Sequence, residues 1–452
     1  MKKIALIILL GVNFIAQAQM QLLKIAADQR SFATADGKPF FWLGDTGWLL
    51  FKKCKKEDAI KYLDTRKAQG FNVIQVMLLH ELDVTDAYGD AALRNKNVAT
   101  PLTTGKSYGY WDNVDFVVKE AAKRGIYMAM VPVWGGNVKE GHVTEMQARI
   151  YATFLANRYK NTTNIIWLNG GDIKGSDSIK VWQTIGNTLR SIDKKHLIGF
   201  HPRGRNSSSQ WFQNESWLDF NMFQSGHRSY AQDTSANETL HYGEDNWRYV
   251  NDDYNLKPTK PTFDGEPSYE DIPYGLHDGK EPYWQDYEIR RYAYWSVFAG
   301  GCGFTYGHNS VMQFYTPGDS GISYFPKITW QDGLVAPGAR QMQWLKKLML
   351  SKPFFDRSPA QDLVTSQGER YNYIAAMRVK NAALLYTYTG RNIDVDFAKY
   401  AGKKVKSSWY NPRTGKYIAA GKFNNDKRVQ TFDPPGDEMQ GNDWVLVLEN
   451  SK

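Results

Sequence analysis

Between residues 40 and 350 the sequence alternates short apolar segments with helical segments, and it does so eight times. The apolar segments are rich in β-branched and aromatic residues, which favour buried strands. Each helix returns the chain to the same end of the sheet, so successive strands pair in parallel. Without a propeller-like or TPR-like repeat, this order predicts a closed (β/α)₈ TIM barrel. The predicted strands span residues 40–48, 72–79, 127–134, 164–172, 197–202, 219–224, 261–266 and 303–308.

The segments between these strands show helical spacing of apolar residues. Ahead of the first strand, Asp36-Gly37 marks a tight turn within residues 21–39, which predicts a small N-terminal β-hairpin. The predicted helices span residues 56–69, 111–124, 143–159, 179–192, 239–249, 283–299 and 336–350.

The pattern changes after Pro353, where short strands alternate with turns. Such spacing predicts a small antiparallel β-sandwich from Ser358 to Lys452. A length of 452 residues suits a barrel of about 250 to 350 residues with an appended module of about 100. We therefore predict three parts, a signal peptide at residues 1–18, the catalytic barrel with its hairpin at residues 19–357, and the sandwich at residues 358–452.

The first 18 residues have the composition of a secretory signal. Lys2 and Lys3 precede an apolar run over residues 4–15, and Ala16-Gln17-Ala18 forms a small-residue cleavage site. The run is too short to cross a bilayer, so no membrane anchor is expected. This segment predicts export to the periplasm or the medium.

Two carboxylic acids stand at the ends of predicted strands, where the loops of a barrel build its active site. Asp172 follows the buried run Asn164-Ile165-Ile166-Trp167-Leu168-Asn169 and two glycines, and Glu266 ends the segment 261–266. A retaining glycosidase requires one carboxylic acid as acid/base and one carboxylate as nucleophile. We assign Asp172 as the acid/base and Glu266 as the nucleophile. The alternative for Asp172 is a helix-capping role, which Asp often takes.

Further polar and aromatic residues at strand ends would surround a bound sugar. Aromatic residues make up 14% of the chain, and rings at a cleft mouth can stack on sugar faces, although core packing also accounts for many of them. Each polar residue could equally support a neighbouring loop. The predicted substrate-binding residues are Asp45, Trp48, His80, Trp134, Asn169, His201, Gln224, His227 and His308.

Metal, nucleotide and nucleic-acid chemistry have little support. The eight histidines form no His-x-His or His-Glu-x-x-His pair, and no P-loop or dinucleotide fingerprint is present, so no metal and no cofactor are expected. The formal charge of +9 is spread along the chain, which is compatible with an anionic substrate and argues against a nucleic-acid site. Cys54 and Cys302 could form one disulfide, but two free thiols are the favoured interpretation.

Three segments, at residues 41–48, 167–172 and 263–267, together resemble the apiosidase-like enzymes of glycoside hydrolase family 140. Residues 409–415 also resemble the sandwich domain that follows the barrel in that family. The resemblance implies that Asp172 is the acid/base and Glu266 the nucleophile. It further implies cleavage of the link between apiose and the galacturonan backbone of rhamnogalacturonan II, a plant cell-wall pectin. The chain has Asn-Gly-Gly-Asp on strand four, where barrel glycosidases more widely have Asn-Glu.

Two alternatives stay open at this stage. One is another retaining barrel glycosidase with a different sugar specificity. The other is a non-catalytic glycan- or matrix-binding protein, because sandwich domains of this kind carry a collagen-binding label. The paired carboxylates favour an enzyme, since a binding protein needs only aromatic rings and neutral hydrogen-bonding groups.

Overall fold

The structure is a computed structural model that describes residues 20–103 and 108–451. The predicted signal peptide lies outside these residues. The chain begins with a three-stranded antiparallel sheet, β1 (Leu23–Ile25), β2 (Phe32–Thr34) and β3 (Pro39–Phe40). Its β2–β3 turn contains Gly37 at φ +86°, so the predicted hairpin is present. Phe32 packs edge-on against Phe220 at 5.3 Å and closes the N-terminal end of the barrel.

Eight parallel strands form the barrel, which confirms the predicted TIM-barrel fold. In the sheet their order is β8-β7-β6-β5-β4-β12-β11-β10, and the short β9 (Asn206–Ser207) adds antiparallel to β10. The ring closes between β8 and β10, where the Asp219 amide donates to Ile198 O and the Ile198 amide donates to Asp219 Oδ2. The barrel strands are β4 (Trp42–Thr46), β5 (Val73–Met77), β6 (Tyr127–Val131), β7 (Ile165–Ile173), β8 (Ile198–Pro202), β10 (Asn221–Gln224), β11 (Thr262–Asp264) and β12 (Gly303–Tyr306).

Helices surround this sheet, and most predicted helices agree with the structure to within a few residues. The helices are α1 (Leu50–Lys53), α2 (Lys56–Ala68), α3 (Tyr110–Lys123), α4 (Gly135–Lys139), α5 (Glu145–Tyr159), α6 (Ile179–Ile192), α7 (Ser209–Phe212), α8 (Trp247–Tyr254), α9 (Asp286–Phe298), α10 (Asn309–Met312), α11 (Trp330–Gly333) and α12 (Pro337–Leu350). Short 3-10 helices cover Arg94–Lys96, Phe354–Asp356, Gln361–Leu363 and Arg370–Asn372.

The predicted helix at residues 239–249 is wrong, because helix α8 begins only at Trp247. Gly243 has φ +54°, which a right-handed helix does not contain. The side chains that follow bond to other segments, since Glu244 accepts from the Tyr230 amide and Asn246 donates to Asp264. These long-range contacts hold the segment as a loop.

The C-terminal domain is antiparallel, as predicted, with a six-stranded sheet in the order β13-β14-β15-β20-β17-β18 and a two-stranded sheet of β16 and β19. One face of the larger sheet, including Met377 and Tyr386, shares a hydrophobic core with barrel helices α9 and α12. The opposite face packs on the smaller sheet around Leu385 and Phe432. The strands are β13 (Arg357–Pro359), β14 (Ala375–Val379), β15 (Ala382–Thr387), β16 (Ile393–Asp396), β17 (Lys404–Tyr410), β18 (Tyr417–Asn424), β19 (Val429–Phe432) and β20 (Trp444–Asn450).

Both cysteines are buried free thiols, Cys54 after α1 and Cys302 before β12, in agreement with the favoured interpretation. Within the described part of the chain, no helix has the length and apolar character needed to cross a membrane.

Candidate active site

A cavity of about 340 Å³ opens at the C-terminal end of the barrel strands. Residues that follow each of the eight parallel strands line it, as expected for the functional end of this fold. Asp172 and Glu266 both line this cavity. The two carboxylic acids predicted from strand ends therefore share one site.

Asp172 reaches the cavity through a bulge in β7. Gly170 pairs with His201 and Ile173 pairs with Pro202, so Gly171 and Asp172 are extra residues relative to β8. Asp172 itself has φ +46°, an uncommon conformation for a residue with a side chain. A strained backbone of this kind is typical of functional sites, and here it turns the carboxyl group inward.

The two glycines before Asp172 are required by this geometry. Gly170 and Gly171 have φ +91° and +112°. A Cβ at Gly170 would lie 2.6 Å from His201 O, and one at Gly171 would lie 2.6 Å from the Trp134 ring. The Gly-Gly-Asp sequence is thus the local cause of the bulge. The N-cap position of α6 is Ser178, six residues after Asp172, so the alternative capping role for Asp172 is wrong.

Glu266 lies just beyond β11 and is 7% exposed. Gln75 from β5 donates to Gly265 O at 2.6 Å, and the Gly226 amide donates to Glu266 O at 3.2 Å. His227 Nε2 lies 3.2 Å from Glu266 Oε1. Backbone and side chain are therefore both held, and little reorganisation is needed for Glu266 to act on a bound ligand.

His201 connects the two carboxyl residues. Its Nδ1 accepts the Asp172 backbone amide at 3.3 Å, which leaves Nε2 to carry the ring proton. Nε2 lies 3.0 Å from Glu266 Oε2, although its N–H does not point straight at that oxygen. One fully buried imidazole thus sets the position of Asp172 relative to Glu266.

The surroundings shift the two acids in opposite directions. Burial and then the charge of Glu266 raise the pKa of Asp172 above its ordinary value. The Asp172 side chain is open to the cavity, so water offsets part of the burial effect, but repulsion by Glu266 acts in the same direction. Burial alone would raise the pKa of Glu266, yet contacts with His201 and His227 outweigh it and lower that pKa. Glu266 therefore has the lower pKa of the two, so there is a pH range in which Asp172 is protonated while Glu266 is ionised.

Aromatic rings wall the site on one side. Trp48 packs edge-on against His201 at 5.2 Å and lies 5.5 Å from Trp134. Trp48 Nε1 donates to the Tyr269 hydroxyl at 2.9 Å. Burial and then the Glu266 charge raise the pKa of Tyr269 well above its ordinary value, so its hydroxyl stays neutral. These rings exclude bulk water from Glu266.

Arginines form another wall of the cavity, from Arg203 and Arg205 after β8 and Arg228 after β10. Arg203 and Arg205 contact the buried Glu238 at 3.3 and 3.2 Å. Arg205 also contacts Asp233 at 3.5 Å. Arg228 has no carboxylate within 4.0 Å among the described residues and donates to the Gln232 carbonyl instead. Three arginines against two acids leave this wall positive.

Tyr324 enters the cavity from the loop after β12. Gln313 holds the loop by exchanging two hydrogen bonds with Ser323, and Asn309 donates to Tyr324 O at 2.7 Å. Tyr324 and Phe325 have φ +61° and +53°, a strained pair that these bonds stabilise. Burial and the charges of Asp172 and Glu266 raise the pKa of Tyr324 to about 12, so its hydroxyl stays neutral in this cavity.

Most of the residues predicted to bind substrate lie at this cavity. His201 is completely buried beneath it and reaches Glu266 rather than a ligand. The predicted residues that line the cavity are Trp48, His80, Trp134, Gln224 and His227.

Asp45, Asn169 and His308 do not line the cavity, so their prediction as sugar contacts is corrected. Asp45 is fully buried and accepts from Arg66 at 2.7 Å and Tyr62 at 2.5 Å. Asn169 donates to Trp182 O on α6, and the His308 ring accepts from the Ser310 amide at the start of α10. All three stand at strand ends but point away from the barrel axis, and strand position alone does not give that direction.

Sequence reasoning missed Arg203, Arg205, Arg228, Tyr269 and Tyr324. Arg203 and Arg205 directly follow β8, so the rule that strand ends carry function could have identified them. Tyr269 lies three residues after Glu266. Tyr324 lies in a long loop after β12, and no sequence pattern marks it as a site residue. Contacts of the loop with Asn309 and Gln313 determine its position.

Across the described ranges, no group of three or more His, Cys, Asp or Glu residues is arranged to hold a metal ion.

Comparisons with known proteins agree with this architecture. The family model described as "Apiosidase-like, catalytic domain" matches residues 26–356, and the model described as "Putative collagen-binding domain of a collagenase" matches residues 358–449. No curated protein matches the chain.

Solved structures similar to this chain include two at high identity. A protein named glycoside hydrolase is 44% identical, with a TM-score of 0.92, over 95% of this chain and 97% of that one. A glycoside hydrolase family 5 protein from Bacteroides vulgatus is 42% identical, with a TM-score of 0.91, over 96% of this chain and 94% of that one.

Proposed function

This chain belongs to the apiosidase-like catalytic-domain family, and we propose that it is a retaining glycoside hydrolase of family 140. Its proposed substrate is the link between apiose and the galacturonan backbone of rhamnogalacturonan II. The two similar solved structures are named as glycoside hydrolases, which supports the reaction class.

The observation that carries the proposal is the pair of acids in one cavity with opposite pKa shifts. Enzymes separate the roles of two carboxyl groups in this way, keeping one protonated and one ionised at the same pH. A protein that only bound glycans would gain nothing from two acids whose charges repel and of which one is buried, because such an arrangement is costly. The pair therefore favours catalysis over simple binding.

In the first proposed step, Glu266 attacks the anomeric carbon of the sugar. The bond between that carbon and the glycosidic oxygen breaks, and Asp172 gives its proton to the departing oxygen. His201 and His227 stay beside Glu266 and keep it ionised until attack. The products are a glycosyl ester on Glu266 and a free galacturonan chain.

In the second step, Asp172 is a carboxylate and acts as a base. It removes a proton from a water molecule, whose oxygen attacks the anomeric carbon and breaks the ester to Glu266. Two inversions at this carbon give net retention, and both residues return to their starting protonation states.

The arginine wall supports an acidic substrate. Arg203, Arg205 and Arg228 face the same cavity as the two acids, and Arg228 has no ion-pair partner among the described residues. The carboxylates of galacturonan would supply the missing negative charge, and Arg binds carboxylates with good geometry. Export through the predicted signal peptide at residues 1–18 would bring the enzyme to polysaccharide outside the cytoplasm.

The test is activity of Asp172→Asn and Glu266→Gln on apiose-bearing pectic oligosaccharides. We expect each change to lower kcat by about 10²- to 10⁴-fold, because each removes one obligatory role. The melting temperature should not change. Asp177→Asn and Glu140→Gln are matched controls, since neither residue lines the cavity. Near wild-type activity of either site variant would contradict the assignment.

Azide separates the two roles. With Glu266→Ala, azide can occupy the space of the missing carboxylate and attack the anomeric carbon, so a glycosyl azide of inverted configuration is expected. Absence of that product with an activated substrate would count against Glu266 as the nucleophile.

A further inference from the structure

A second cavity, of about 510 Å³, lies between the barrel and the C-terminal domain. The barrel contributes Tyr242 from the loop after β10 and Arg248 from the start of α8, and the C-terminal domain contributes Arg370 and its neighbours. Trp247 stacks on Tyr373 with ring centroids 4.2 Å apart and planes within 3°, which joins the two sides. We call this cavity the junction cleft. It shares no lining residue with the catalytic cavity.

Two arginines in the junction cleft are held by aromatic rings. The Arg248 guanidinium lies 4.4 Å from the Tyr242 ring centroid, and that of Arg370 lies 5.0 Å from the Tyr230 ring centroid. Both side chains are exposed, and among the described residues neither has a carboxylate within 4.0 Å. A guanidinium held over a ring keeps its N–H groups free in its own plane, where they can bind a planar carboxylate.

Two of the acids that line the junction cleft already have partners. Asp233 accepts from the Gly243 amide at 2.8 Å and contacts Arg205 and His241. Asp245 accepts from the Tyr230 hydroxyl at 2.5 Å. Glu369 is exposed and forms no ion pair within 4.0 Å among the described residues. Arg248, Arg370 and Glu369 thus form no ion pair within 4.0 Å in the described part of the chain, although the charge of Arg248 acts on Asp245.

One ion pair separates the junction cleft from the catalytic cavity. Arg205 lines the catalytic cavity, and its partner Asp233 lines the junction cleft. The two cavities are therefore neighbours, one on each side of this ion pair.

We propose that the junction cleft is a remote subsite that binds the carboxylate of an acidic sugar through Arg248 and Arg370. This inference rests on the proposed function, since it assigns the cleft to a distant part of the same substrate chain. The C-terminal domain then contributes to substrate binding through Arg370, in addition to packing on the barrel.

The test is the double variant Arg248→Ala and Arg370→Ala in the full chain. Both side chains are exposed, so the fold should be retained. Loss of two charge-assisted contacts should lower kcat/KM on long acidic oligosaccharides roughly 10- to 100-fold or more. The same variant should cleave a short aryl glycoside at the wild-type rate, because that substrate does not reach the cleft. Arg149→Ala with Arg340→Ala is the matched control, since both are exposed arginines that line neither cavity.

Two measurements separate this proposal from the proposed function. Calorimetry with an oligogalacturonate that carries no apiose should show weaker binding by the double variant. The same oligosaccharide with its carboxylates reduced to alcohols should bind both proteins equally. Equal affinity of wild type and variant for the acidic chain, or equal loss of kcat/KM on short and long substrates, would overturn the subsite. If the wild-type protein does not cleave apiose-bearing oligosaccharides, the proposed function is contradicted, whereas the calorimetric test of the subsite remains valid.

Discussion

His201 is the residue on which the relation between the two acids depends. It accepts the Asp172 amide through one ring nitrogen and faces Glu266 with the other. Because it is fully buried, no water can take over either contact without a rearrangement. His201 is thus a positioning residue that acts through Asp172 and Glu266 and does not touch the substrate.

We predict that His201→Asn moves the acidic limb of kcat/KM to higher pH. The lowered pKa of Glu266 depends on His201 and His227, and burial alone would raise it. Glu266 must be ionised, so activity falls as the pH drops through its pKa, and a higher pKa shifts this fall upward. The loss of one charge-assisted contact is worth about one pH unit. The measurement is kcat/KM against pH.

His142→Asn is the control for this change, because His142 is exposed and lies outside the cavity. Its acidic limb should match that of the wild type. An unchanged acidic limb in His201→Asn would show that His201 does not set the ionisation of Glu266.

The bulge in β7 is the element that brings Asp172 into the cavity. Strand periodicity would carry residue 172 onward along the barrel wall, but the two extra residues direct Asp172 into the cavity. Trp134 packs where a Cβ of Gly171 would lie, and Gly135 is equally confined by Gly171 O. The bulge therefore depends on Gly170 and Gly171 in β7 and on Gly135 at the start of α4.

We predict that Gly171→Ala lowers kcat by roughly 100-fold with the barrel still folded. The added Cβ would lie 2.6 Å from the Trp134 ring at a φ of +112°, so Asp172 must shift, and a shift of about 1 Å has this cost. The fall in kcat is measured by an activity assay, and the retained fold is checked by circular dichroism. Gly141→Ala is the matched control, because Gly141 also has positive φ but open space around it. A similar fall in kcat for Gly171→Ala and Gly141→Ala would show that the bulge does not position Asp172 for activity.

Apolar periodicity in the sequence predicted the eight strands and most helices of the barrel. The positions of Asp172 and Glu266 at strand ends predicted both acids. The sequence did not predict the bulge, since periodicity does not give register. It placed a helix at residues 239–249, where contacts of Glu244 and Asn246 with distant groups prevail. Asp45 and Tyr324 show the same limit, because long-range partners decide which way a side chain points.

The whole molecule is joined by a core that spans both domains. Tyr294 on α9 stacks on Tyr386 at 4.8 Å, and Tyr410 donates to Trp344 O on α12. Arg290 is 2% exposed and binds Asp443 through two hydrogen bonds of 2.9 Å. The C-terminal domain therefore stabilises the barrel by packing on it.

We predict that Asp443→Ala lowers the free energy of unfolding by about 3 kcal/mol, because it leaves part of a buried guanidinium without its carboxylate. Asp286 still contacts Arg290, which keeps the loss near the lower end for a buried ion pair. Denaturant unfolding measures the change. Asp362→Ala removes the exposed ion pair with Arg378 and should cost less than about 1 kcal/mol. Equal effects of the two substitutions would contradict a shared interdomain core.

Trapping the covalent intermediate would show whether Asp172 and Glu266 act as acid/base and nucleophile. Asp172→Ala is incubated with an activated aryl apioside, whose leaving group needs no acid, and the protein is quenched and digested for mass spectrometry. One added glycosyl group is expected on the peptide that contains Glu266, since the second step lacks its base. An adduct on another residue, or turnover with inverted product and no adduct, would contradict these roles.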